Sequence, residues 1–199
     1  MNAKKPELSN ANKIRQIAEL ALQDALQIVH LIELLRAQNS RGINSRISKA
    51  GGSHAVVAFR NAMIGHLTVV VARAYANPRS GDLHCRVAAD LLNSDKTSRE
   101  IFSTGDGGKL LAQFQSHWEK CVKDLRLERI KHFRDKYTAH LGEPKDIPEP
   151  EYRELFAFGI ATAQALDLLA LTTKAAVRSA TGNNEALFSA EAFWKPWAD

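Results

Sequence analysis

The chain has 199 residues, of which 45% are hydrophobic and 25% are charged. This is the composition of one folded domain, and it excludes both a disulfide-stabilised miniprotein and a largely disordered chain. Lysine and arginine total 27 against 22 aspartate and glutamate residues, so the net charge of +5 permits an anionic partner without requiring one.

The cysteines and the N-terminus predict a cytoplasmic protein. Cys85 and Cys121 have no neighbouring Cys or His at a spacing typical of zinc, so we expect core thiols in a reducing compartment. The N-terminus lacks the apolar stretch of a signal peptide. Polar and charged side chains interrupt the most apolar windows, 56–76 and 155–173, so we expect no membrane span.

The first predicted helix begins after Ser9 or Asn10, either of which can cap free backbone amides, and runs to about Gln38. Its core face repeats every three or four residues, through Ile14, Ala18, Ala21, Ala25, Ile28, Ile32 and Leu35. Further leucines widen this face, so the helix needs partners on two sides, within the molecule or across a subunit interface. The basic, glycine-rich stretch 38–52 is predicted to be a solvated loop, with phosphate contact as the alternative.

A second long helix is predicted from about Ser53 to Asn77, where Pro78 ends it. Its heptad positions, typical of a central bundle helix, are Val56, Met63, Val70 and Asn77. A shorter helix is predicted within 82–93, and a short helix with an exposed loop within 94–108.

The third long helix is predicted from near Gly108 to Gly142, which can form its left-handed C-cap. Its inward side chains are expected to be Leu111, Phe114, Trp118, Cys121, Leu125, Ile130, Phe133 and Tyr137. A fourth helix is predicted from about Glu151 to Ala180. We expect the tail 181–199, with Phe188, Phe193, Trp194 and Trp197, to fold back onto the bundle.

The positions of the prolines and glycines predict an all-α fold. All six prolines lie at the ends of the periodic segments, and all but two of the eleven glycines, Gly65 and Gly159, lie in the gaps between them. No stretch alternates with the period of a strand. We therefore predict an up-and-down bundle of four to five main helices, forming one domain over residues 1–199.

Motifs of several enzyme classes are absent from the sequence. No carboxylate pair or Glu-x-x-His repeats as a diiron bundle requires, so we predict no metal. A nucleophile elbow, a Walker loop and a dinucleotide fingerprint are also missing, so we predict no cofactor.

The candidate site lies at the end of the third helix, in HFRDKYTAHLG. Arg134 and His140 are six residues apart, or about 9 Å along an ideal helix axis. A phosphodiester between them would meet a fixed cation and a group that titrates near neutral pH, which suits RNA cleavage without a metal. The alternative is structural, because helix dipoles favour cations in a last turn and Asp135 can pair with one.

One histidine and one arginine do not fill every catalytic role, so we expect a homodimer that brings two such helix ends together. The dimer would also cover the apolar first helix. Lys136 is expected to add a phosphate contact, and Tyr137 to stack on a base or to hydrogen-bond the phosphate. The alternatives are a solvated cation and a core-edge aromatic.

The string Arg134-Asp135-Lys136-Tyr137-Thr138-Ala139-His140 resembles the motif of HEPN domains (higher eukaryotes and prokaryotes nucleotide-binding): an arginine, a polar residue, a short spacer and a histidine. The helical outline looks most like the HEPN branch of abortive-infection proteins. The resemblance implies a dimeric, metal-independent ribonuclease that serves as a toxin or phage-defence effector, with RNA as substrate and an antitoxin or other protein as a partner. It implies that Arg134 polarises the phosphate, Asp135 orients Arg134, and His140 is the acid and base.

Two alternatives stay open. The stretch from Arg60 to His66 has the same form, but it lies mid-helix beside the apolar face, so the copy at Arg134 is preferred. Some HEPN families only bind nucleotide, pair with a nucleotidyltransferase or scaffold a complex. The alternative function is therefore a non-catalytic helical module that binds nucleotide, RNA or a partner protein.

Overall fold

A computed structural model describes residues 9–94, 97, 101, 107–136, 150–182 and 184–198. Every regular element within these residues is helical, which confirms the predicted all-α class. The elements are α1 (Asn10–Gln38), α2 (Arg41–Lys49), α3 (Ser53–Ala74), α4 (Cys85–Leu92), α5 (Gly107–Val122), α6 (Arg126–Arg134), α7 (Tyr152–Thr172), α8 (Glu185–Trp194) and a 3-10 turn (Lys195–Trp197). Most of the predicted loop at 94–108 lies outside the described residues.

The first helix, α1, is the centre of the bundle. Ser9 caps it, because the backbone N–H of Asn12 donates to Ser9 Oγ at 3.3 Å. All seven predicted core positions are buried. They pack against α3, α4, α7 and α8 of the same chain. The core face of α1 is therefore covered within the molecule and does not argue for a second subunit, whereas Leu20 is 38% exposed.

The contact between α1 and α7 explains one of the two glycines inside a predicted helix. A Cβ atom at Gly159 would lie only 3.0 Å from Ile32 Cδ1. The absence of a side chain lets the two helices approach closely. Next to this contact, the buried Tyr75 hydroxyl hydrogen-bonds Thr162 Oγ1 at 3.0 Å, and its ring stacks on Trp118.

The third long helix was predicted to be continuous, but it is divided into α5 and α6. Asp124 causes the break, because its Oδ1 accepts the backbone N–H of Arg126 at 2.9 Å and its carboxylate also pairs with the Arg126 guanidinium. A side chain that binds a backbone amide two residues ahead favours a turn over a continued helix. Leu125, predicted to face the core, lies in this break and is 80% exposed.

The stretch predicted to be a loop after α1 contains a helix, α2. Ile43 and Ile47 lie one turn apart on α2 and pack against Trp194 in a small cluster of their own. The indole N–H of Trp194 donates to Leu34 O at 3.0 Å. Trp194, near the end of the chain, thus supplies part of the apolar surface that stabilises this short helix, together with Leu34, Ala37 and Val56.

The tail contributes one helix and one buried aromatic side chain to the described structure. Helix α8 packs on α1, and Trp194 is buried. The other three aromatic side chains, Phe188, Phe193 and Trp197, remain exposed. Ala186 and Ala190 share the buried face of α8 with Trp194, and this face holds the helix on the bundle.

The helices α3 and α7 end earlier than predicted, at Ala74 and Thr172. Beyond α7 the chain turns back, because the buried carboxylate of Asp167 accepts the Ala180 N–H at 2.9 Å and the Thr181 hydroxyl at 3.0 Å. These bonds hold the segment 173–182 against α7 in place of further helix.

By length and composition alone, α3 and α7 could each cross a membrane. This is weak evidence, because the core helices of soluble proteins pass the same test, and α7 is mostly buried in the bundle. The expectation of no membrane span stays a prediction.

Candidate functional site

Arg134, Asp135 and Lys136 lie together at the end of α6. Two nitrogens of the Arg134 guanidinium contact Asp135 Oδ1, Nε at 2.7 Å and a terminal nitrogen at 2.6 Å. The predicted pair of arginine and orienting polar residue is thus in direct contact. Lys136 is exposed. Tyr137 and His140 lie outside the described residues, so their roles stay predictions.

Arg134 borders a cleft of about 620 Å³ between α6 and the chain that joins α3 to α4. We call it the cationic cleft. Its lining is Arg73, Ala76, Asn77, Arg79, Asp82, Leu83, His84, Lys131, Arg134 and Asp135. Four of these side chains are cationic and two are anionic, which favours a negatively charged ligand.

The cations of the cleft differ in what they contact. Arg73 pairs with Asp24, with 2.5 Å between its terminal nitrogen and Oδ1, and Arg134 pairs with Asp135. Neither Arg79 nor Lys131 makes an ion pair with any residue that the structure describes. These two side chains are therefore available to an anion.

Lys131 carries a charge that its surroundings disfavour. Partial burial lowers the pKa of its ammonium, and the nearby Arg86 and Arg134 guanidinium groups lower it further. An anion bound in the cationic cleft would offset both effects. It would stabilise the Lys131 ammonium in place of water, and its negative charge would reduce the repulsion from the two guanidinium groups.

His84 is a residue of this cleft that the sequence analysis did not select. It occupies the N-cap position of α4, and its side chain is only 8% exposed. Its Nε2 lies 3.4 Å from Asp82 Oδ2, yet neither ring nitrogen makes a hydrogen bond with a described residue. The predicted helical stretch 82–93 included His84 as an ordinary helical residue, and the structure instead begins the helix at Cys85.

Asp82 is fixed beside His84 by the turn that precedes α4. The backbone N–H of Arg79 donates to Asp82 Oδ2 at 2.7 Å. The same carboxylate oxygen is the one nearest the imidazole. The turn therefore places an arginine, a carboxylate and an imidazole at one rim of the cleft.

The second copy of the motif does not form one site. Arg60 borders a cleft of about 250 Å³ beside Gln38, whereas His66 borders a different groove of about 630 Å³ beside Phe133. The two side chains therefore face different clefts of the described structure.

The remaining reactive side chains form no further candidate catalytic centre in the described part of the chain. Both cysteines are buried and free, as predicted, and burial raises the pKa of Cys85 well above its ordinary value and also raises that of Cys121. A thiol that resists ionisation is a poor nucleophile. No cluster of three metal-binding side chains occurs among the described residues.

No protein-family model matches this chain, and no curated protein or solved structure is significantly similar to it. Its function has to be inferred from the cationic cleft and from the motif at the end of α6.

Proposed function

We propose that this protein is a metal-independent endoribonuclease of the HEPN type that acts in the cytoplasm as a toxin or phage-defence effector. The observation that carries the proposal is the position of Arg134. It borders a cleft with an excess of cations, and it lies at the helix end from which the chain continues to His140, six residues later. RNA is the polyanion that this chemistry fits.

In the proposed reaction the ribose 2′-oxygen attacks the adjacent phosphorus, and the bond from phosphorus to the 5′-oxygen breaks. His140 takes the proton of the 2′-hydroxyl or gives one to the leaving 5′-oxygen. Arg134 neutralises the charge that develops on the phosphorane, and Asp135 orients its guanidinium. The products are a 2′,3′-cyclic phosphate and a 5′-hydroxyl, with Lys136 and Tyr137 as substrate contacts.

The proposal includes a homodimer, because two copies would supply a second histidine and a second arginine for the acid and base roles. This argument is chemical alone, since α1 is already covered by helices of its own chain. An antitoxin or another protein would control the activity.

One observation favours a second candidate function, a non-catalytic module that binds nucleotide, RNA or a partner protein. The Arg134 guanidinium is already neutralised by Asp135. A cation in such a pair has less charge to offer a phosphorane, although it can still help to bind a phosphate at the rim of the cleft.

The test compares wild type with His140→Ala on mixed RNA in EDTA, with detection of 2′,3′-cyclic phosphate ends. We expect cyclic ends from wild type only. The matched control is His54→Ala, because His54 is exposed on α3 and is not among the residues that line the cleft. Cleavage by a folded His140→Ala variant would refute the proposed catalytic role. Binding without cleavage by wild type would favour the second candidate.

A further inference from the structure

The cationic cleft contains groups that the motif at Arg134 does not use. The first is the N-terminus of α4, which begins at Cys85 directly after His84. The side chain of the cap residue makes no hydrogen bond to the first turn. The first backbone N–H groups of a helix have no partner within the helix, and the helix dipole makes this end positive. Leu83 and His84, the two residues directly before the first turn of α4, line the cleft.

The second is the imidazole of His84. Its side chain is more than nine-tenths buried and borders the cleft, and both ring nitrogens lack a hydrogen-bond partner among the described residues. Buried polar groups are almost always hydrogen-bonded, so such an imidazole needs an explanation. A ligand that accepts a hydrogen bond would supply the missing partner.

The third is the pair of cations without an ion-pair partner in the described chain, Arg79 and Lys131. Arg79 belongs to the turn before α4, and Lys131 belongs to α6, so they approach the cleft from two different elements. Arg86 and Arg134 surround Lys131 with further positive charge. A cluster of like charges is stabilised when an anion lies among its members.

We propose that Arg79, Lys131, His84 and the N-terminus of α4 form a phosphate-binding subsite in the cationic cleft. The subsite takes a phosphodiester of RNA that neighbours the one contacted by Arg134. In naming RNA it rests on the proposed function, whereas the recognition of a phosphate group rests on the cleft alone. The phosphate of a free nucleotide has the same chemistry and is the other source to be tested.

Each group of the subsite contacts the phosphate in a different way. The Arg79 guanidinium can donate two parallel hydrogen bonds, and the Lys131 ammonium acts as a compact positive charge. Asp82 Oδ2 lies 3.4 Å from Nε2 of His84, and both imidazole nitrogens are enclosed without a hydrogen bond, so the ring donates to a phosphate oxygen after a small rotation toward the cleft. Backbone N–H groups at a helix N-terminus commonly bind the remaining oxygens of such a group.

The test measures the affinity of a 2′-O-methyl RNA oligonucleotide, which cannot be cleaved because its attacking hydroxyl is blocked. We expect Lys131→Ala and Arg79→Ala each to weaken binding by roughly five- to tenfold. Each should also reduce the slope of log affinity against log salt by about 0.7, the value for one phosphate contact to a single strand. His84→Ala should weaken binding too, with its fold checked by circular dichroism because the residue is buried.

The matched controls remove the same charge elsewhere. Lys123 is 73% exposed between α5 and α6, and Arg153 is exposed on α7, and neither lines the cationic cleft. We expect Lys123→Ala and Arg153→Ala to bind within about twofold of wild type, since single exposed charges contribute little. Wild-type affinity and salt slope in both Lys131→Ala and Arg79→Ala would overturn the subsite.

A competition arm distinguishes the two sources of phosphate. If the subsite serves an RNA chain, AMP displaces the oligonucleotide only when the AMP concentration is far above that of the oligonucleotide. RNA would be overturned as the source of the phosphate if AMP displaced the oligonucleotide at a comparable concentration and if this displacement were lost in Lys131→Ala. Binding of the uncleavable probe is measured separately from cleavage of unmodified RNA, so the two proposals can fail independently. If binding of the probe depends on the cleft but unmodified RNA is not cleaved, the nuclease is refuted and the subsite is kept. If Lys131→Ala cleaves unmodified RNA with an unchanged KM, the subsite is refuted and the nuclease is kept.

Discussion

The guanidinium of Arg134 contacts Oδ1 of the adjacent Asp135 through two nitrogens, at 2.7 and 2.6 Å. In the proposed reaction this contact sets the direction of the cation, and the carboxylate also competes with the phosphate for it. The substitution Asp135→Asn separates these two effects. The amide oxygen of asparagine still accepts the hydrogen bond from Arg134, but the negative charge is removed.

We expect Asp135→Asn to cleave RNA within about threefold of wild type, since its amide oxygen still accepts the hydrogen bond. Asp135→Ala should be about tenfold slower or more, the size of effect expected when a hydrogen bond of roughly 1.5 kcal/mol is lost. The measurement is the initial rate of cyclic-phosphate formation in EDTA. Equal rates for the two variants would show that Asp135 does not orient Arg134.

The second copy of the motif provides an independent prediction. His66 borders a different cleft from Arg60 and is absent from the lining of the cationic cleft. We therefore expect His66→Ala to leave the cleavage rate within about twofold of wild type, the range of an ordinary exposed substitution. A loss of cleavage as large as that of His140→Ala would transfer the catalytic role to α3.

The affinity for the uncleavable RNA should depend on pH through Lys131. Partial burial and the nearby Arg86 and Arg134 lower the pKa of its ammonium in the free protein. As pH rises through this lowered pKa, Lys131 becomes neutral and the attraction to phosphate is lost. A bound phosphate favours the charged form, so its binding should be accompanied by proton uptake.

Lys131→Arg is the control for this titration, because an arginine keeps its charge throughout the range. The charged groups that act on Lys131 are Arg86, Arg134, Glu128 and Asp135, and both proteins retain all four. Anisotropy titrations from about pH 7 to about pH 10 should show weakening in wild type and a flat profile in Lys131→Arg. The same decline in both proteins would assign the titration to another group.

The break between α5 and α6 depends on Asp124. Its carboxylate accepts the Arg126 N–H at 2.9 Å and pairs with the Arg126 guanidinium, so Asp124→Ala should lower the free energy of unfolding by about 1 kcal/mol. Urea unfolding measures this value. Asp90→Ala, an exposed change on α4, should stay within about 0.5 kcal/mol of wild type.

The contribution of the Asp124 carboxylate to the free energy of unfolding should disappear in acid. Its hydrogen bond with Arg126 is the main cause that lowers the pKa of the Asp124 carboxyl. The folded pKa thus lies below the unfolded value of about 3.9, so the stabilisation is complete above that value and is lost as pH falls through the folded pKa. A difference between Asp124→Ala and wild type that persists at about pH 2 would contradict this assignment.

Trp194 should be the residue of the tail on which α2 depends. Trp194→Ala removes a buried indole that packs on Ile43 and Ile47 and donates to Leu34 O, so it should destabilise the protein by about 3 to 5 kcal/mol. Hydrogen exchange of the α2 amides should accelerate with it. The control is Phe188→Ala, because Phe188 is 64% exposed. Equal losses for the two variants would show that α2 does not need the tail.

Several parts of this protein follow from local patterns. The Ser9 cap and the core face of α1 were predictable because apolar spacing and cap chemistry act within a few residues. The break at Asp124 was missed, although its cause is local, because an aspartate inside an amphipathic pattern looks like any exposed helical residue. The Arg134 and Asp135 pair was found because neighbouring residues in a last turn meet without help from the fold.

The amino-acid sequence by itself determined that the chain is helical, where its long helices begin, and which helix end carries Arg134. Only the tertiary structure decided that α2 is a helix, since the cluster that covers Ile43 and Ile47 includes Trp194 from the far end of the chain. It also decided that His84 and Arg79 lie in the same cleft as Arg134. Hydrophobic periodicity carries no information about which polar groups from distant helices meet, because that depends on how the buried faces pack.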